Sequence, residues 1–155
     1  MQPRCWSVFL FVLVLLASSY AQAGTESSAA GLIPITLPGG TLIYAEIADT
    51  ARKRAEGLMY REHLDKNRGM LFTFAQAQPW TFWMKNTKIP LDIIWMDEKK
   101  RIIHIEQNVP ICTRTDDSCR QYQPNDPALY VLELGGGMAQ HFKLQKGVTL
   151  RFHVP

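Results

Sequence analysis

The sequence is poor in the patterns that most often betray a reaction. It has no His-Glu-x-x-His, no Gly-x-Ser-x-Gly and no phosphate-binding glycine loop. Gly135-Gly136-Gly137 has neither the Gly-x-Gly-x-x-Gly spacing nor a following Lys-Ser/Thr, and reads as a flexible strand exit. His63, His104, His141 and His153 stand alone, without the i, i+4 spacing that puts two metal ligands on one helix face. No metal and no cofactor is expected from these residues. Charge of one sign is also lacking: 17 basic side chains face 14 acidic ones, which excludes the basic stripe of a nucleic-acid binder. Internal repeats and low-complexity tracts are absent. Long hydrophobic runs are absent too, with one partial exception.

That exception is Trp6 to Ala17, a 12-residue run. A membrane-spanning helix needs about 20 residues. Arg4 precedes the run, and Ala21-Gln22-Ala23 before Gly24 fits the small-x-small rule of signal peptidase. Residues 1–23 therefore read as a signal peptide cleaved after Ala23, against the competing reading of a retained anchor. The expected location is periplasmic or secreted, with no membrane contact beyond the cleaved peptide. Cleavage leaves 132 residues with 16 basic and 14 acidic side chains, enough for one domain with a real core. Segment 24–31, GTESSAAG, reads as a flexible lead-in, and 32–155 as a single β-rich domain.

Cysteine is scarce as well, three in all, and processing removes Cys5. The remaining pair, Cys112 and Cys119, is even in number, close in sequence and bound for an oxidising compartment, which predicts a disulfide. Six intervening residues are too many for the Cys-x-x-Cys of redox catalysts. The bond reads as a structural clamp on a polar loop.

Period-2 runs of β-branched and aromatic residues predict short strands at Ile33–Leu37, Thr41–Ala48, Met70–Phe74, Trp80–Met84, Leu91–Met96, Arg101–Glu106, Leu129–Leu134 and Val148–Val154. Pro38-Gly39-Gly40 predicts the first hairpin and Asp97 to Lys100 another. Short helices are expected at Ala51–Met59, capped by Asp49 or Thr50, and at Met138–Leu144. The fold class is thus mainly β (α+β). Eight short strands in so small a domain suggest a closed or nearly closed barrel, its ends covered by the two helices.

Three segments make the chain recognisable: Gly57-Leu58-Met59-x-Arg61, Gly69-Met70-Leu71-Phe72, and Phe82-Trp83-Met84-Lys85-Asn86-Thr87-x-Ile89-Pro90-Leu91-Asp92. With Tyr130-Val131-Leu132-Glu133 near the end, the sequence resembles the bacterial and archaeal domain of unknown function 192 family, from about Leu42 to Phe152. The resemblance implies a small β-rich, barrel-like domain, often exported, without an established molecular function. Two departures are visible: the Cys112–Cys119 segment is an embellishment, and Gly147-Val148 stands where Gly-Asp is common.

Candidate ligand-binding residues are Arg61, Trp83, Lys85, Asn86, Asp92 and Glu133. In a strand Trp83 and Lys85 project together, an aromatic plate beside a cation, and Asn86 adds amide donors and an acceptor. Aromatic surface ringed by such groups suits a sugar ring or a peptide end. Each has a plainer reading: Asn86-Thr87 capping a turn, Asp92 pairing with Lys85 or Arg61, the tryptophans filling the core. Glu133, flanked by Leu132 and Leu134, must find a partner or take up a proton. The sequence thus supports a non-catalytic envelope domain binding a small polar ligand, glycan or peptide. The alternatives are a hydrolase or lyase on an envelope polymer, using Asp92 and Glu133 as its acid/base pair, and a structural partner of another envelope protein. The hydrolase requires the two carboxyls to lie within about 10 Å of each other.

Overall fold

The computed structural model describes residues 31–114 and 116–155; the expected signal peptide and the expected lead-in up to residue 30 lie outside them. Among the described residues no helix is long and apolar enough to cross a membrane. The chain order is β1 (Leu32–Thr36), β2 (Leu42–Ala48), α1 (Ala51–Glu56), β3 (Arg68–Gln78), β4 (Phe82–Trp83), β5 (Leu91–Met96), β6 (Ile102–Val109), β7 (Gln121–Tyr122), β8 (Ala128–Gly135) and α2 (Met138–His141). A mainly β fold with eight strands and two short helices is what the sequence pattern predicts.

The barrel is not formed. Six strands make an open sheet in the order β1-β2-β3-β8-β5-β6, and β4 pairs with β7 in a separate ribbon. The expected eighth strand, Val148–Val154, is the reason. It touches the sheet's two edges by single bridges only, Thr36 to Arg151 and Arg101 to Thr149. Its alternation is real, with Leu150 and Phe152 buried, but it delivers side chains to the core without pairing as a ladder. A pattern of alternate burial reports which side chains face inward and carries no information on backbone partners. The strand that completes the observed eight, β7, is two residues of a polar loop and has no such pattern.

Turns form where the residues demand them. Pro38–Gly40 makes a 3-10 turn, with Gly39 at φ 76° and Gly40 at φ 85°, and β1 and β2 pair antiparallel across it. Thr50 caps α1 by accepting a hydrogen bond from the Lys53 N–H at 3.2 Å. That helix ends at Gly57, short of Met59, and carries the chain into β3, parallel to β2.

The sheet is covered on both faces, so its strands contribute two cores. Ile35, Ile43, Leu71, Ile94 and Leu132 face one side, where α2 and the C-terminal segment lie. Met70, Phe72, Ile93, Trp95 and Val131 face the other, under Leu58, Met84 and Tyr122. Each fully buried Ile or Leu contributes about 1.5–3 kcal/mol of transfer free energy. Strand register then aligns Glu46, Met70, Glu133 and Ile93 in one row across β2, β3, β8 and β5, on the second face.

Candidate functional site

The two buried carboxylates of the sheet sit on adjacent strands and face opposite ways. Asp92 pairs in register with Leu134 and Ile93 with Glu133. Alternation along β5 therefore sends Asp92 to one face and Glu133 to the other. As an acid/base pair they are not brought together, which removes the hydrolase or lyase built on them.

Asp92 is wholly buried, and its needs are met by backbone. One carboxylate oxygen accepts from the N–H groups of Asn108 at 2.6 Å and Gly137 at 3.1 Å. The other accepts from Ala139 N–H at 2.5 Å. It pins the start of α2 and the β6 end to the sheet. The expected pairing with Lys85 or Arg61 does not occur.

Glu133 has the opposite fate. It is 4% exposed, and its Oε2 has no hydrogen-bond partner among the described residues. Burial pushes the carboxyl up to about 8, and the Arg61 charge pulls the other way without prevailing. With no partner at Oε2, burial favours the protonated form of the carboxyl.

Gly57, which stands beside Glu133, lines a cleft of about 720 Å³, walled by the ends of β1, β2 and β3 and by the α1–β3 loop. Its charged lining is Glu46, Lys53, Glu56, Arg61, Asp65 and Arg68, with His63, Leu64, Gly57 and Met70 among the rest. Arg61 and Glu46 meet as a two-pronged pair, at 2.5 and 2.8 Å, each about one-third exposed or a little more. That hydrogen bonding holds the Glu46 carboxyl below its ordinary range and raises the Arg61 guanidinium, against partial burial. Arg68 adds to the effect on Glu46 and lies over the Tyr44 ring at 5.6 Å.

Gly57 joins cleft and carboxyl. It has φ 51° and ψ −133°, a conformation that L residues avoid. A Cβ placed there would sit 3.3 Å from the Phe72 ring and 3.8 Å from Glu133 Oε2. With no side chain at this point, the cleft wall is thin over the carboxyl.

Asn86 holds the Arg61 loop from outside. Its carbonyl accepts the Tyr60 N–H at 2.8 Å, and its Nδ2 donates to Tyr60 Oη at 2.9 Å. Both residues have positive φ, 55° and 64°, so two loops in the left-handed region lock one another. Trp83 and Lys85 do project together, with Nζ 5.3 Å from the ring, but on the side of the disulfide loop. There Lys85 pairs with Asp117, between Cys112 and Cys119, whose bond is formed. Trp95 is core, as its plainer reading held, and Trp80 stacks on Phe74 at 4.0 Å.

Of six candidates the structure brings together Arg61 and Glu133, with Asn86 in support. Sequence reasoning missed Glu46, Glu56, Arg68 and Gly57. Glu46 alone had a signal: a carboxylate at an alternate position of a strand, following Leu42 and Tyr44.

The model of the DUF192 family, described as "Uncharacterized ACR", matches residues 35–152. The chain belongs to this family. No curated protein matches it. A crystal structure of a protein of unknown function from Novosphingobium aromaticivorans DSM 12444 is similar to the DUF192 chain, with 31% identity and a TM-score of 0.68. The match covers 77% of this chain and 83% of that one. A second, from Sinorhizobium meliloti 1021, is described provisionally as a transcription regulator. It shares 28% identity at a TM-score of 0.66, over 78% of this chain and 92% of that one.

Proposed function

We propose that this DUF192 protein is an exported cell-envelope domain that holds a small polar ligand, such as a glycan or peptide fragment, without transforming it. The cleft beside the Arg61–Glu46 pair carries this reading. It is roomy, lined by charges of both signs, and built on a rigid sheet edge, which suits a ligand with several polar groups. The acid/base pair that a hydrolytic mechanism would use is divided between the faces of the sheet. The regulator description of the Sinorhizobium protein is not carried over, because 16 basic against 14 acidic residues in the mature chain offer nucleic acid little attraction.

Thermal denaturation of the purified protein against a panel of envelope glycans and peptides tests the proposal. A ligand at 100 times its Kd adds about 2.7 kcal/mol, or about 10 °C in a domain of this size. Exchanging Arg61 for Ala should abolish the shift. A flat response across the panel removes the ligand-binding role. Export is checked separately, by the mature N-terminus: mass spectrometry of the periplasmic or secreted fraction should find Gly24 first.

A further inference from the structure

The cleft floor specifies more than a polar ligand. Three carboxyl groups, Glu46, Glu56 and Glu133, act on the single guanidinium of Arg61. Arg61 is already committed, in a two-pronged pair, to Glu46. Glu133 is left without an ion pair of its own among the described residues. At its base Glu133, itself more than nine-tenths buried, presents an Oε2 that nothing in the described residues satisfies. A buried polar atom without a partner costs about 1–3 kcal/mol, and persists in native folds where something else is meant to meet it. Gly57 lines the cleft, and that oxygen lies just behind it, 3.8 Å from where a Cβ would stand.

We infer that the cleft floor at Gly57 and Glu133 receives a primary ammonium group of the ligand, an inference resting on the reading of the cleft as a ligand site. An ammonium satisfies the orphan oxygen with an N–H donor and supplies the positive charge that an ionised Glu133 lacks, since Arg61 is paired with Glu46. A metal ion fits less well, since among the described residues no group of three or more His, Cys, Asp or Glu side chains gathers as ligands. Arg68, which has no ion-pair partner among the described residues, stands on the same cleft and can take an anionic or hydroxyl group of the same molecule. The ligand class is thus an amine with a second polar end: an amino sugar, an amino acid or a peptide N-terminus.

Binding has a proton balance that a neutral ligand lacks. The free protein holds a proton on Glu133 at pH 7, with the carboxyl pushed up to about 8. When the ammonium arrives, that proton leaves to solvent, the carboxylate forms, and an N–H of the ligand donates to Oε2. Amine binding at pH 7 thus releases a proton from Glu133.

The test uses the purified protein, carbon-13 NMR of glutamate side-chain carboxyls, and ethanolamine, cadaverine, glucosamine and glycylglycine. Each amine is matched by its N-acetylated form. The expected result is that amines move the Glu133 resonance from its protonated to its ionised position at pH 7, whereas acetylated forms leave it in place. Glu133→Gln should weaken amine binding at least tenfold. If acetylated compounds bind the cleft as well as the amines do and Glu133 stays protonated, the ammonium inference falls and the cleft reading stands. If no compound of either set perturbs cleft residues, both fall.

Discussion

Glu133 should make the protein less stable as pH rises from 5 to 8, and Glu133→Gln should remove that dependence. The buried carboxyl is pushed from 4.5 up to about 8 in the folded protein. Between those values the native state keeps a proton that the unfolded chain has released. Stability therefore has its full value below about pH 4.5 and falls as pH rises, flattening once the folded group also ionises above about 8. At 1.36 kcal/mol per pK unit, the loss between pH 5 and pH 7 is about 2.5 kcal/mol, and about one more by pH 8. Gln keeps the shape and cannot ionise. Equilibrium urea unfolding of both proteins at pH 5, 6, 7 and 8, followed by tryptophan fluorescence, gives the difference directly. Every other titrating group is common to both and cancels. The gap between Gln variant and parent should widen by about 2.5 kcal/mol from pH 5 to 7. A gap constant to within about 0.5 kcal/mol would show that Glu133 is hydrated or paired in solution, and the account of the cleft floor would fail with it.

Other changes separate structural from functional roles. Asp92→Ala strands three backbone N–H groups, one of them fully buried, and should cost about 3–5 kcal/mol in urea unfolding. Glu46→Gln breaks a half-exposed pair; about 1 kcal/mol is expected by the same assay, with the loss fading in high salt. Gly69→Ala would put a Cβ 2.6 Å from the Glu133 carbonyl oxygen and 2.8 Å from Leu134, so thermal melts should fall by ten degrees or more, on the order of 3 kcal/mol. Replacing Cys112 and Cys119 together by Ser should cost at most about 2.5 kcal/mol by loop entropy and leave amine binding at the cleft unchanged.

What the sequence made legible was what local chemistry dictates. Pro38-Gly39-Gly40 turned the first hairpin, the Cys112–Cys119 pair closed its loop, and the alternation in β2, β5 and β8 put the right side chains inside. Topology was less legible, because burial of Leu150 and Phe152 looks the same whether their backbone pairs along a strand or crosses an edge at one bridge. The site was legible in part. Arg61 and Glu133 lie 72 positions apart in the sequence, and no period links them. They converge because β2, β3 and β8 are neighbours in the sheet, a fact set by long-range pairing. Trp83 and Lys85 do form the plate and cation that alternation predicted, yet the disulfide loop supplies Asp117 as their partner. The length and polarity of that loop gave no hint of where it lands.

Asp92 and Glu133 make the stronger case for where function sits, since they differ so little in sequence context. Both are carboxylates within apolar strands, both are buried, and their strands are adjacent. The row in which each stands decides the rest. Asp92 is given three N–H donors, so both its oxygens are satisfied by backbone and the fold gains an anchored helix. Glu133 is given none at Oε2, and the residue beside that oxygen is Gly57, which lines the cleft. A leucine or methionine would fill the same space without the desolvation cost, and Glu133→Met should accordingly match or exceed the parent in stability by about 1–3 kcal/mol at pH 7. If that substitution stabilises the protein and also abolishes amine binding, the carboxyl is kept for the ligand and not for the fold. If it destabilises, Glu133 is structural, and the search for a ligand must begin elsewhere on the cleft.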